Sequence, residues 1–173
     1  MVANLGDSAQ TLLDAVTDAL IAAERPVGKV YQSMGIPVIG ICCEDQDDQD
    51  VTLNGELSIH FQRLFDADPQ SLVEVQRTRP CKNGAIAASY RMVLARCRPT
   101  MDEHGELPEP AERTETTLEQ HQDLELLWQA LATAGPYLRI DDVSADLAPS
   151  GNCSLVYADI TILVCVPPIP EVA

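Results

Sequence analysis

The sequence predicts an α/β protein of the α+β type, in which two helices pack on one mixed or antiparallel sheet. Apolar residues recur at helical spacing in two stretches, 5–24 and about 116–134. Between and after these stretches they alternate at strand spacing. The length of 173 residues favours one domain over 1–166, followed by a proline-rich C-terminal arm over 167–173.

The first predicted helix covers 5–24. Asp7 or Ser8 can cap its N-terminus, Arg25 is expected in its last turn, and Pro26 stops it. One stripe of the helix is apolar and consists of Leu12, Leu13, Val16, Leu20 and Ala23. This pattern is typical of a helix that packs on its own sheet.

The segment 27–43 holds one or two strands. Gly35 and Pro37 interrupt it, so its first part is expected at an edge or a bend of the sheet. Five of the seven residues in 44–50 are acidic. This run lacks the central glycine and the flanking helices of an EF-hand loop, so we expect a solvated loop.

Two long strands are expected to pair in antiparallel fashion. The first, 52–65, places three apolar residues on one face: Leu57, Ile59 and Phe61. His60 lies on the opposite, polar face, where we expect it to face solvent. The second, 85–97, is the central strand, and both of its faces are expected to be at least partly covered.

The connection 66–84 between these strands is unusually long for a compact domain. It carries three of the few cations of the chain, namely Arg77, Arg79 and Lys82. After the central strand, Pro99 ends the strand and opens a proline-rich loop over 98–113. These two loops are the candidates for contacts with other subunits.

The second helix is expected to begin at Thr116 or Thr117 and to run to about Ala134, where Gly135-Pro136 ends it. Its predicted core side consists of Leu124, Leu127, Trp128 and Leu131. Trp128 is expected to be a core anchor.

The last strands follow this helix. A short strand at 137–140 is expected to end in a turn at Asp141-Asp142, after which 143–147 continues the sheet. The final strand, 154–166, is apolar on both faces in its second half, which predicts a central position in the sheet.

The chain is strongly acidic, with a formal net charge of −16 from 27 acidic and 11 basic residues. Tight binding to DNA or RNA needs clustered lysines and arginines, and none are clustered here. An acidic surface beside DNA repels it and so prevents adhesion, although the same charge also simply keeps a protein soluble.

The cysteine pattern does not indicate a zinc site, because no C-x-x-C pair occurs. The N-terminus lacks the pattern of a signal peptide, and no stretch reaches the about 20 apolar residues of a membrane span. Reduced thiols in a cytosolic setting are therefore expected. The six cysteines are Cys42, Cys43, Cys81, Cys97, Cys153 and Cys165.

Catalytic motifs are missing from the sequence. It contains no glycine-rich phosphate loop, no G-x-S-x-G elbow and no histidine pair at metal-ligand spacing. Cys97 and His60 can meet across adjacent strands, but a third, orienting group is not evident. We therefore predict no catalytic, cofactor-binding or metal-binding residue, and no enzymatic activity.

The end of the central strand carries a longer motif. It reads R-C-x-P-T-M-D-x-x-G-x-x-P, and an acidic helix with a late Leu-Trp pair follows. The residues are Arg96, Cys97, Pro99, Thr100, Met101, Asp102, Gly105, Pro108, Leu127 and Trp128. With upstream Cys43, Arg77, Arg79 and Cys81, this stretch over about 40–131 resembles small neck proteins of siphophages that infect Actinobacteria.

The resemblance implies a tail terminator with a tail-terminator-like fold. Such a protein forms a ring on the end of the tail tube, stops tail polymerisation and joins the tail to the head. Head-to-tail adaptor and stopper proteins of the same neck are alternatives. A soluble cytosolic α/β binding module, a protein of a different class, explains the composition and periodicity equally well.

The implied partners are copies of the chain in a hexameric ring, the major tail tube protein and a head-side connector or stopper. DNA would pass through the lumen without specific binding, and no membrane is involved. The expected location is the head–tail junction of the virion, and the host cytoplasm during assembly. The candidate contacts to other subunits or the tail tube are Arg77, Arg79, Lys82, Arg98, Asp102 and Glu103.

Overall fold

A computed structural model describes residues 5–35, 55–68, 70–72, 74, 85–97, 106–135, 138–147 and 153–164. Within them lie two helices and a five-stranded sheet, which confirms the predicted α+β class. The elements are α1 (Leu5–Ala22), β1 (Lys29–Met34), β2 (Glu56–Ala67), β3 (Ala85–Cys97), α2 (Pro110–Thr133), β4 (Leu138–Leu147) and β5 (Cys153–Val164). The predicted strand over 36–43 and the C-terminal arm lie outside the described residues.

The sheet is mixed, with the strand order β1-β2-β3-β5-β4. β1 runs parallel to β2, whereas the other three pairs of neighbours are antiparallel. The antiparallel pairing of β2 with β3 and the central position of β5 confirm the predictions. β1 is an edge strand, as its interrupted sequence indicates.

Both helices pack on the same face of the sheet and share one apolar core with it. α1 contacts β1, β2 and β5, and α2 contacts β4 and β5. On β3, the predicted alternation is confirmed, because Tyr90, Met92 and Leu94 join this core. Val93 and Ala95 belong instead to a smaller cluster on the opposite face, together with Cys153 and Leu155.

The C-terminal end of α1 is capped by backbone hydrogen bonds. Glu24 adopts a left-handed conformation with φ of 58°. The N–H groups of Glu24 and Arg25 donate to the carbonyls of Ile21 and Leu20, which is the pattern of a Schellman motif. Arg25 therefore lies beyond the last turn in which it was expected. Asp7 lies within the first turn and is not the N-cap.

α2 begins earlier than the sequence predicts, at Pro110 instead of Thr116 or Thr117. Proline suits the first helical position, since its fixed φ matches the helix and it has no N–H to leave unpaired. Glu109 and Glu112 form a capping box around this start. The predicted loop over 98–113 is therefore wrong for its last four residues, which are helical.

β4 is one continuous strand, so the predicted turn at Asp141-Asp142 is wrong. The register against β5 shifts between Ile140 and Asp142, which marks a bulge. A bulge adds one residue without reversing the chain. The hydroxyl of Thr161 on β5 donates to Asp141 Oδ2 at 2.7 Å, which gives the polar side chain a partner on the sheet.

Cys97 and Cys153 are both disulfide-bonded and occupy directly opposed positions on β3 and β5. The expectation of free, reduced thiols is therefore wrong for these two residues, because the register brings them together. His60 lies opposite Arg91 on β3, so Cys97 and His60 do not meet across these strands, a possibility that the sequence left open. The other four cysteines lie outside the described part of the chain.

Gly55 allows the chain to enter β2 close beneath β3. It has φ of 104°, and a Cβ at this position would clash with the carbonyl oxygen of Ala95. Its own carbonyl accepts the N–H of Gly28 at 3.0 Å, which fixes the start of β1 beside β2. The position thus requires glycine for two reasons, backbone conformation and space.

We expect Gly55→Ala to lower the free energy of unfolding by about 3 kcal/mol or more, because conformational strain and a backbone clash add together. Gly35→Ala is the matched control. Gly35 also has a positive φ, 84°, but a Cβ added there would meet no atom of the described residues within 4 Å. The control loses only about 1–2 kcal/mol from strain. Urea titrations of both variants measure the difference, and equal losses would contradict the clash.

Candidate functional site

The six predicted contact residues lie outside the described residues. They are Arg77, Arg79, Lys82, Arg98, Asp102 and Glu103. The structure therefore does not bring these side chains together or separate them. The candidate functional groups that follow belong to the helices, the strands and the short connections that the structure describes.

The chain that follows β2 is tied to the rest of the domain; β2 ends at Ala67, so the predicted connection over 66–84 is wrong for its first two residues. Asp68 Oδ1 accepts the N–H groups of Gln70 and Ser71, at 3.0 and 2.9 Å. Arg139 Nη1 on β4 donates to the carbonyl of Ser71 at 3.1 Å. The Asp68 bonds thus hold the turn itself, and the hydrogen bond from Arg139 ties it to β4.

A buried carboxylate joins three elements. Asp123 on α2 is only 1% exposed, and it lies between two guanidinium groups. Arg25, which follows α1, donates to both carboxylate oxygens through Nε and Nη2, at 2.8 and 3.1 Å. Arg96, near the end of β3, donates to Asp123 through Nε at 3.1 Å. We call Arg25, Arg96 and Asp123 the arginine–aspartate hub.

The hub also holds the backbone that leaves α1. Arg96 Nη1 donates to the carbonyl of Pro26 at 2.7 Å, and Nη2 donates to the carbonyl of Arg25 at 2.6 Å. Hydrogen bonding to Asp123 raises the pKa of Arg25 above its ordinary value. The Arg25 guanidinium therefore stays charged, and the Asp123 carboxylate compensates this charge inside the protein.

The predicted core side of α2 is confirmed for Leu127 and Leu131, which are buried, and for Leu124, which is partly buried against the same core, but it is wrong for Trp128. Asp123, Leu127 and Leu131 are buried at spacings of four, whereas Trp128 is 49% exposed. The helix is rotated so that Asp123 points inward, and the prediction that Trp128 anchors the core is wrong. In the sequence, Asp123 stands four residues before Leu127 and therefore shares its side of the helix. This spacing predicts a buried carboxylate only when the arginine partners of Asp123 are known.

We expect Asp123→Ala to lower the free energy of unfolding by about 3–5 kcal/mol, because it leaves two inward-facing guanidinium groups without their carboxylate. The matched control is Glu119→Ala on the same helix. Glu119 is half exposed and lies 3.9 Å from Arg25 Nη1, so its loss costs less than about 1 kcal/mol. Thermal and urea unfolding of both variants measure these losses of stability. Comparable losses would show that the buried carboxylate of Asp123 contributes no more than the exposed carboxylate of Glu119.

The opposite face of the sheet carries a buried polar network. His60 is 2% exposed, so the expectation that it faces solvent is wrong. The strand β2 lies between β1 and β3, and the ring of Tyr31 on β1 packs edge-on against the imidazole with 6.3 Å between ring centroids. His60 Nε2 and Ser58 Oγ share a hydrogen bond of 2.9 Å. Tyr31 donates its hydroxyl to Glu56 Oε1 at 3.0 Å.

The chemistry of this network is limited by one atom. His60 Nδ1 is buried and has no hydrogen-bond partner among the described residues. A hydrolase triad needs a carboxylate on this nitrogen to orient the ring and stabilise its positive form. Within the described part of the chain, the Ser58–His60 pair lacks that carboxylate. Burial lowers the pKa of His60, so the ring is neutral at pH 7.

We expect the stability of the protein to fall as the pH drops below 6.5. The unfolded histidine takes up a proton near pH 6.5, whereas buried His60 takes it up only at lower pH, so the unfolded state binds more protons in that window. His60→Gln should flatten this dependence, and His121→Gln, at an exposed position on α2, should leave it unchanged. Urea unfolding between pH 7.5 and about 5 gives the comparison, and an NMR pKa of His60 above 6.5 would contradict it.

α2 presents large apolar side chains to solvent beside acidic ones. Leu118 is 56% exposed and Trp128 is 49% exposed. They lie on the outward side of the helix with Glu125 and His121, at helical spacings of three and four. Tryptophan is enriched in protein–protein interfaces, so the half-exposed ring of Trp128 makes this side of α2 a candidate contact surface.

A cavity of about 280 Å³ lies between the first turns of α1 and the end of β1. Most of its lining is apolar and includes Leu5, Ala9, Met34 and Phe61. Tyr90 also lines it and donates its hydroxyl to the carbonyl of Leu5 at 3.0 Å. Burial raises the pKa of Tyr90 to about 12, so this hydroxyl stays neutral.

Metal-ligating side chains do not cluster in the part of the chain that the structure describes. Among these residues, no group of three or more His, Cys, Asp or Glu side chains is arranged to hold a metal ion. No described helix combines the length and apolar character that crossing a bilayer requires.

No protein-family model matches the chain, and no curated protein matches it. The class of protein is therefore defined by the structure as an α+β domain, with both helices on one face of a five-stranded mixed sheet. Its candidate functional surfaces are the outward side of α2 and the cavity beside β1.

Proposed function

We propose that this chain is a structural protein of a phage neck, a tail terminator that forms a ring on the end of the tail tube. The ring stops tail polymerisation and joins the tail to the head. The observation that carries the proposal is the outward side of α2, where Leu118 and Trp128 are about half exposed on an acidic helix. An exposed tryptophan suits a protein that acts through contacts with other proteins, because tryptophan is enriched in such interfaces.

The residues of the motif support this proposal through their structural roles. Arg96 belongs to the hub with Asp123, and Cys97 is disulfide-bonded opposite Cys153. The end of β3 and the acidic helix that follows it in the motif are thus one rigid unit. Trp128, from the late Leu-Trp pair, is left on the surface of that unit.

The charge of the chain also supports it. A net charge of −16 suits a ring whose lumen lets DNA pass without specific binding. In this role the partners are other copies of the chain, the major tail tube protein and a head-side connector or stopper. The protein would act at the head–tail junction of the virion and assemble in the host cytoplasm.

A head-to-tail adaptor or stopper of the same neck is an alternative within this class. A cytosolic binding module is the second candidate function, because the cavity beside β1 is apolar and about 280 Å³ in volume. Ligand sites are typically concave, mostly apolar pockets of this kind.

We expect the purified protein to form six-fold rings or to seat on the ends of purified tail tubes. Native mass spectrometry and negative-stain images of the protein, alone and with tubes, measure this. Assembly should strengthen with salt, because screening weakens the repulsion between acidic copies. A twelve-fold ring would favour the adaptor, and a monomer that ignores tubes at all salt concentrations would contradict the proposal.

A further inference from the structure

We infer that copies of this chain associate head to tail, with Trp128 of one copy seated in the cavity between α1 and β1 of the next copy. The inference rests on the proposed ring function and specifies the contact that builds the ring. The donor and the acceptor of this contact are different surfaces of the same chain. Such a heterologous contact generates rings when its rotation closes.

The two surfaces lie at opposite edges of the sheet. The cavity is lined by β1, which is one edge strand, and by the first turns of α1. α2 contacts β4, the other edge strand, and β5 beside it. A contact between the α2 side of one copy and the β1 side of another therefore leaves both remaining surfaces available to further copies.

The contacts of α2 show which side of the helix Trp128 occupies. Gln120 Nε2 donates to the carbonyls of Asp146 and Leu155, at 3.1 and 3.2 Å, so this side of α2 faces β4 and β5. Trp128 lies eight residues further along α2, about 80° around the helix axis from Gln120 and in the sense opposite to Asp123. Arg25, which follows α1, instead contacts α2 at Gln122 and Asp123. Trp128 therefore lies on the β4 side, away from α1.

The cavity fits an indole ring in size and chemistry. A cavity of about 150 Å³ lined by aliphatic and aromatic residues holds benzene. The volume of about 280 Å³ leaves room for the two fused rings of tryptophan. Ser33 and Gln32 also line the cavity and carry oxygens that can accept the indole N–H. Met34 lines it at 78% exposure, and its flexible thioether can pack on an aromatic ring.

The single tryptophan of the chain makes the contact directly measurable. When the concentration of protein or salt is raised, the fluorescence emission of Trp128 should shift to shorter wavelengths. Acrylamide should also quench this fluorescence less, because the seated ring is shielded from solvent. Met34→Lys, which places a charge at the exposed lining of the cavity, should abolish both changes. Ile21→Ala, near the opposite end of α1 from the cavity, is the control and should keep them, because Ile21 is exposed and does not line the cavity.

A mixing experiment tests the head-to-tail arrangement. Trp128→Ala removes the donor and keeps the cavity, whereas Met34→Lys keeps the donor and blocks the cavity. Each variant alone should be monomeric by native mass spectrometry under conditions where the wild type assembles. An equal mixture of the two should give a dimer of one copy of each and no ring, because one complete contact forms and neither end can extend.

Circular dichroism is the control for folding. Both variants should give the spectrum of the wild type, because the changes are at exposed side chains. If Trp128→Ala assembles like the wild type, or if the mixture gives no mixed dimer, the inference is overturned while the ring proposal stands. If the wild type stays monomeric with constant Trp128 emission and also ignores tail tubes, both the inference and the proposed function are overturned.

Discussion

The buried carboxylate of Asp123, held between Arg25 and Arg96, is the interaction on which the arrangement of the domain depends. It connects the chain that leaves α1, the end of β3 and the middle of α2. Removing one member of such a group leaves a buried charge without compensation. Both helices can therefore occupy only those positions over the sheet that preserve these contacts, and the apolar core forms beneath them.

The hub also determines which side chains reach the surface. Because α2 turns Asp123 inward, it turns Trp128 outward on the side of β4. The same arginines hold the chain at the C-terminal end of α1. At the N-terminal end of α1, an apolar cavity lies beside β1. One structural interaction thus places an exposed aromatic side chain and an apolar cavity at opposite edges of the molecule.

The face of the sheet opposite the helices carries polar side chains that contact one another. His60 and Ser58 are buried and share a hydrogen bond beside half-buried Tyr31. Arg91 pairs with Asp159 across β3 and β5 through two hydrogen bonds of 2.7 and 2.6 Å. Polar residues at alternate strand positions indicate a solvated face when one sheet face is considered alone. Here Tyr31 bonds to Glu56 and Arg91 bonds to Asp159 across neighbouring strands, whereas Ser58 and His60 bond within β2, and a pattern along a single strand does not reveal these pairings.

The sequence by itself determined the fold class, the course of α1, the central strands and the two faces of β3, because these depend on local apolar periodicity. It also indicated an edge position for β1 through its interruptions. The inward turn of Asp123, the exposure of Trp128 and the pairing of Cys97 with Cys153 depend instead on partners far apart in the chain. The predicted contact loops fall largely outside the described residues, so the candidate surfaces came from the tertiary structure alone. Periodicity specifies which residues share a face, but only long-range register and charge pairing decide which face turns inward.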